Sequence, residues 1–151
     1  MTTALRRCRG TELDAATLYE LLTLRVEVFV VEQSCPYPEL DGRDLLGETL
    51  HFWLANPAGD VTATLRLVEE FGDGETVFRI GRVATTKTER GRGHCTRLLQ
   101  AALAEVGDAS CLISAQSYLA AMYARHGFVR DGAEFVEDGI PHVPMLRAAR
   151  R

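Results

Sequence analysis

"TERGRGHCTRLLQAAL", Thr88 to Leu103, sets two glycines and three arginines around the start of a leucine-rich run. Leu98, Leu99, Ala102 and Leu103, followed by Val106, fall on one face at helical spacing, so a helix opens here. The first N–H groups of a helix lack intrahelical partners and carry the positive end of its dipole. Gly91 and Gly93 let the backbone turn sharply and approach a ligand closely, while Arg90, Arg92 and Arg97 supply mobile positive charge. The stretch therefore suits a phosphate or diphosphate, the competing reading being a plain helix start with solvated arginines. A Walker A loop requires Gly-Lys-Ser/Thr after its second glycine, where His94 and Cys95 stand. The dinucleotide fingerprint requires a third glycine where Thr96 stands, and a parallel sheet that the upstream hairpins do not suggest.

Upstream, "HFWLAN" and "VTATLRLVEE" flank "PAGD", whose Pro and Gly suit a hairpin turn. "TVFRIGRVATT" reads as a third antiparallel strand, with Gly81 marking a bulge. "TALRRC" reads as a first strand, and "LDAATLYELLTLRVEVFVVEQ" as one or two helices. "SCPYPELDGRDLLGET" is a long irregular connection of the kind that often carries function. Downstream, "CLISAQ" reads as a buried strand and "YLAAMYARHG" as a short helix ended by Gly127, before a last pair of strands, "FVRDG" and "IPHVPMLRA". The order β-αα-βββ-α-β-α-ββ predicts an α/β (α+β) fold with a mixed, mostly antiparallel central sheet and helices on both faces.

The chain has 151 residues, enough for one domain over 1–151, and a net charge of -4 that gives no pull toward nucleic acid or anionic membrane. No apolar run reaches transmembrane length and the N-terminus lacks a signal-peptide core, so a cytoplasmic location is expected. Cys8, Cys35, Cys95 and Cys111 lack C-x-x-C spacing and read as reduced thiols, with no metal site expected.

"VATTKTERGRGHCTRLL" resembles motif A of the GCN5-related N-acetyltransferase (GNAT) superfamily, in which Arg/Gln-x-x-Gly-x-Gly/Ala follows a strand and opens a helix. Arg90 and Gly93 match it, and Cys95 stands where Gly or Ala is usual. "YARHGF" resembles the family's Tyr-x-x-x-Gly-Phe, and Gln116 occupies a place where many members carry asparagine, which implies a cofactor-binding residue there. "VFVVEQSCPYPELDGRD" and "FVEDGIPHVPM" resemble the ElaA-like branch. The resemblance implies acetyl-CoA as cosubstrate and no metal. It implies a diphosphate held on the loop Arg90, Gly91, Arg92, Gly93, His94, Cys95 and Thr96, and a pantetheine arm along Val83, Ala84 and Thr85. It further implies direct attack by an amine, an oxyanion met by an N–H near Val83, and Tyr123 as donor to the departing sulfur. The acceptor is open. A longer acyl donor, as in the acyl-homoserine-lactone synthases that share the fold, and a non-catalytic acyl-CoA-binding module are the alternatives.

A lysine-like amine is about one part in a thousand neutral at pH 7, so a general base matters. Glu32, Asp41, Asp44, Glu48, Glu137 and His142 are the candidates, each also readable as a solvated or capping residue. His51 reads as a packed, hydrogen-bonded histidine and Cys35 as a buried structural thiol. Arg25, Glu27 and Glu32 read as a solvated ion-pair face. Gly93→Val is expected to weaken coenzyme A binding with little effect on the fold. A homodimer is open, the apolar C-terminal strand being a surface through which two copies could pair.

Overall fold

The computed structural model describes residues 2–150. Strand β1 (Ala4–Arg9) leads through a short 3-10 turn into helix α1 (Ala15–Val26), whose first turn is capped by Asp14 accepting the Thr17 N–H at 2.7 Å. The helix runs on into a π-helical turn, Glu27–Glu32, then into the irregular stretch 33–48. Strands β2 (Thr49–Ala55), β3 (Val61–Gly72) and β4 (Glu75–Thr85) form an antiparallel meander joined by tight turns. Helix α2 (His94–Val106) crosses over to β5 (Ser110–Gln116), and α3 (Ala120–Ala124) precedes β6 (Val129–Arg130), β7 (Phe135–Glu137) and β8 (Ile140–Arg147).

All eight strands lie in one sheet, ordered β1-β2-β3-β4-β5-β8-β6 with β7 also on β8. Every residue of β2 is buried, because both faces of the sheet are covered. Leu50, Phe52 and Leu54 pack with Leu65, Leu67, Leu98, Leu99 and Ala102 under α2, while Trp53 and Ala55 pack with Leu21 of α1 on the opposite face. Gly10 is a close-approach position: a Cβ there would lie 2.4 Å from the Asp44 carbonyl oxygen and 2.6 Å from that of Leu46. Only a residue without a side chain lets stretch 33–48 fold down against the sheet end.

The three-strand meander and the helix after it match the sequence reading, as does the bulge. Thr64 pairs with Ala84 but Arg66 pairs with Gly81, so β4 spends an extra residue at Arg82–Val83, and Arg82 holds φ 51°. Two expectations are corrected. The last pair of strands is three, since "FVE" forms β7 with β8. The C-terminal strand is not an edge available to a second copy, because β8 lies between β5 and β6/β7. Among the described residues no helix is long and apolar enough to cross a membrane.

Candidate active site

Strands β4 and β5 are the parallel neighbours of the sheet, paired from Val77–Ser110 to Ile80–Ile113. Beyond that point β4 bends at its bulge and the strands part. Their unpaired backbone edges open a cleft of about 970 Å³, lined on one side by β4 and the start of α2 and on the other by β5, the Tyr123 helix and β8.

One end of the cleft is the glycine turn. Gly91 and Gly93 hold φ 77° and 78°, and a Cβ at either would meet no protein atom within 4 Å. Gly93 is the N-cap of α2 and no side chain caps the helix, which leaves the N–H groups of its first turn directed at the cleft mouth. A diphosphate fits this seat. The turn requires left-handed backbone, which corrects the expectation that Gly93→Val would spare the fold: a β-branched residue there costs on the order of 1–3 kcal/mol in strain.

The arginines are less mobile than the sequence suggests. Arg90 binds Glu32 of the π turn through both terminal nitrogens, at 2.6 and 2.7 Å, and gives its Nε to the Thr85 carbonyl at 3.0 Å. Arg97 reaches the Thr3 carbonyl at 3.0 Å, away from the loop. Arg92 is largely exposed, with Glu89 at 3.2 Å, and does not line the cleft. His94 also faces Glu89 at 3.4 Å, its Nδ1 buried without a partner. Positive character at the anion seat thus comes chiefly from the helix end.

Along β4, Val83 and Thr85 line the cleft, whereas Ala84 turns its side chain under Leu24 of α1 and Val28 of the π turn. Cys95 and Gln116 line it as well, and burial pushes the Cys95 thiol up to about 11. Tyr123 is 3% exposed, edge-on to Phe128 at 6.1 Å, and burial followed by the proximity of Cys95 and Tyr118 raises its pKa. Its hydroxyl finds no hydrogen-bond partner among the described residues, although the side chain lines the cleft.

The opposite mouth is built on a buried ion lattice. Arg25, read from the sequence as solvated, is 1% exposed: it donates to Glu39 and to Asp44 at 2.6 Å each. Arg66 grips Asp41 at 2.7 and 2.8 Å and reaches Asp44 at 3.2 Å, and Arg82 meets Glu39 at 2.9 Å and Asp41 at 3.4 Å. Three guanidinium groups thus face three carboxylates, and the strained Arg82 backbone is held by two of them. Tyr37 donates to Glu39, and His51, 1% exposed, bonds the Asp44 carbonyl at 2.9 Å. Burial lowers the His51 pKa, so it is a neutral packed histidine as expected, and Cys35 is the expected buried thiol, donating to the Asp138 carbonyl at 3.2 Å.

This lattice sorts the candidate bases. Burial opposes the charge on Asp41 and Asp44, but the adjoining arginines hold both carboxyls below their ordinary values. Arg90 does the same to Glu32, so these three are poor proton acceptors. Glu48 does not line the cleft; Glu137 and His142 do. His142 stacks on Phe135 at 5.7 Å, and its Nδ1 lies 2.7 Å from the Ile140 carbonyl. A carbonyl only accepts, so Nδ1 carries a proton, and it is Nε2 that holds the lone pair in the neutral ring.

The ion pairs carry a pH dependence. Asp41, Asp44, Glu32 and Glu70 all lie below ordinary values of 3.8 for Asp and 4.5 for Glu. Depressed carboxyls bind protons more readily unfolded than folded, so their contribution is complete above those values and is lost as pH falls through the folded ones. The carboxyls' part in the melting temperature should be flat above about pH 5 and drop below about pH 4, and the depressed His51 adds a fall that begins below its ordinary value of 6.5. Asp41→Asn should shallow that acid slope, and an unchanged slope would remove Asp41 from the account.

The profile of the family described as "Acetyltransferase (GNAT) domain" matches residues 21–148. A UPF0039 protein of Mycobacterium tuberculosis is 71% identical over 147 residues, 97% of this chain and 94% of the relative. Protein ElaA of Escherichia coli is 37% identical over 140 residues, 90% of each chain, and its crystal structure superposes with a TM-score of 0.87. The crystal structure of an acyl-CoA N-acyltransferase from Pseudomonas aeruginosa, 40% identical, superposes with a TM-score of 0.89 over 97% of this chain and 100% of that one.

Proposed function

The chain belongs to the GNAT acetyltransferase family, in its ElaA-like branch, and from this we propose that its 151 residues act as one acetyl-CoA-dependent N-acetyltransferase domain. The observation that carries the reading is the parting of β4 and β5 beside the uncapped start of α2: a slot with free backbone groups runs up to an anion seat. The N–H groups of Arg92 to Thr96 would hold the diphosphate, and the open edge of β4 at Val83 to Thr85 would pair with the amides of the pantetheine arm as an added strand does. A backbone N–H of the bulge near Val83 would meet the oxyanion that forms when the amine attacks. His142 Nε2 would take the amine proton, and the Tyr123 hydroxyl would donate to the sulfur as it departs. Gln116, which lines the cleft, would contact the cofactor.

The test is release of free thiol from acetyl-CoA with a panel of small amines and peptides, corrected for the protein's own cysteines. Release above the amine-free rate for some acceptor is expected. Coenzyme A binding without release for any amine would leave a binding module, and faster turnover of octanoyl-CoA would move the reading to a longer acyl donor. For the anion seat, calorimetry of coenzyme A with Gly93→Val, at a temperature where the strained variant is still folded, should show affinity at least tenfold weaker. Unchanged affinity would take the diphosphate away from this loop.

A further inference from the structure

We propose that the acceptor is an amine carrying a carboxylate on the order of 10 Å away, seated on Arg43 and Arg79; this rests on the acyl-transfer reading above and names its substrate class. Glu70 of β3 is shared between two arginines. Arg43 gives it Nη2 at 2.8 Å, and Arg79 gives it Nε at 3.2 and 3.4 Å. The inner lattice of Arg25, Arg66 and Arg82 is already balanced by Glu39, Asp41 and Asp44. The outer group is two guanidinium ions against one carboxylate, so one positive charge stands uncompensated.

That charge faces the cleft. Both arginines line it, with side chains 36% and 40% exposed, so they keep contact with solvent and with any ligand. Both terminal nitrogens of Arg79, and Nε and Nη1 of Arg43, have no hydrogen-bond partner among the described residues. Two half-exposed forks with free N–H groups side by side match a carboxylate, which accepts bidentately from guanidinium.

The position on the sheet fixes the spacing. Phe78 and Ile80 of β4, with Cys111 and Ile113 of β5, pack in the core under α2. By strand alternation Arg79 therefore points to the other face, as do Ser114 and, on β8, His142. Arg79 lies four residues before Val83, where the acyl carbonyl would be held, roughly 13 Å at about 3.3 Å per residue less the bulge. Its Nε leans toward Glu70, away from the parting of the strands. An α-amino acid is too short to bridge that interval, whereas a tripeptide, at about 3.3–3.6 Å per residue, places amine and carboxylate at its two ends.

The experiment uses triglycine and triglycinamide, which differ in the terminal charge and share an α-amine. Calorimetry on the full chain saturated with coenzyme A reads binding without turnover. Triglycine is expected to bind at least tenfold tighter, the preference shrinking with salt and collapsing toward one in Arg79→Gln. Equal affinities, no detectable triglycine binding, or a preference kept in Arg79→Gln would each overturn the carboxylate seat. A thiol-release assay on the same pair reports the acyl-transfer reading separately. Turnover without preference refutes the seat alone, and preference without turnover refutes the chemistry alone while leaving the seat.

Discussion

Arg25→Met is expected to destabilise the protein by about 3 kcal/mol, the lower part of the range for breaking a buried ion pair from one side. Methionine fills much of the arginine's volume, so the loss is electrostatic and not a cavity. It leaves Glu39 and Asp44 buried with fewer donors: Glu39 keeps Arg82 at 2.9 Å and Asp44 keeps Arg66 at 3.2 Å, and these contacts hold the loss to the lower end. Arg25 also fixes stretch 33–48, which carries Tyr37, Asp41 and Arg43 into the cleft. The same variant should therefore raise the acceptor KM more than that of the acyl donor, whose proposed seat is the glycine turn at the far end. Urea unfolding gives the stability and initial rates give the two KM values. A loss under 1 kcal/mol would mean that Arg25 behaves as the surface residue its sequence setting suggested.

Tyr123→Phe is expected to lower kcat by about a hundredfold, the low end of what a positioned acid contributes. The ring that packs against Phe128 is kept, and the hydroxyl removed has no partner among the described residues, so melting temperature and coenzyme A affinity should scarcely move. Burial raises the Tyr123 pKa, which makes complete proton transfer harder. The same dry surroundings act on a departing thiolate: the neighbouring Cys95 thiol is itself pushed up to about 11. Shifts in the same direction keep a hydrogen bond available at the sulfur whether or not the proton crosses. Wild-type kcat in the variant, with chemistry limiting, would return Tyr123 to a packing role and leave water as the acid.

The sheet and α2 were legible because their signals are local. The Leu98–Leu99–Ala102 stripe sets a helix, the turn residues between β2 and β3 set a hairpin, and Gly81 adjoins a bulge that the β3–β4 register displays. Strand β7 escaped because three residues carry too little alternation to register. The lattice escaped because its partners are remote: Arg25 meets carboxylates 14 and 19 residues on, and Arg90 meets Glu32 58 residues back. A signal for the lattice was present in Arg66, the one charge in the otherwise uncharged "VTATLRLV", which must find a carboxylate if that strand is buried. At the site, the glycine turn followed from backbone chemistry, whereas Val83, Gln116 and Tyr123 rested on family resemblance. Ala84, between Val83 and Thr85, turns its side chain away from the cleft to pack with Leu24 and Val28, which no local signal in the sequence shows.

The parting of β4 and β5 also divides the molecule mechanically. Between the β1–β4 half and the β5–β8 half, the hydrogen-bonded ladder consists of four residue pairs, Val77–Ser110 to Ile80–Ile113. A ligand whose amides continue that ladder acts as a missing stretch of strand, stitching the halves where the chain leaves them apart. Occupancy then adds to cohesion as RT ln(1 + [L]/Kd), and those backbone amides at 81–85 and 114–116 that face the seam, and not β3 or β8, exchange with solvent water at a rate set by how often the seam is stitched.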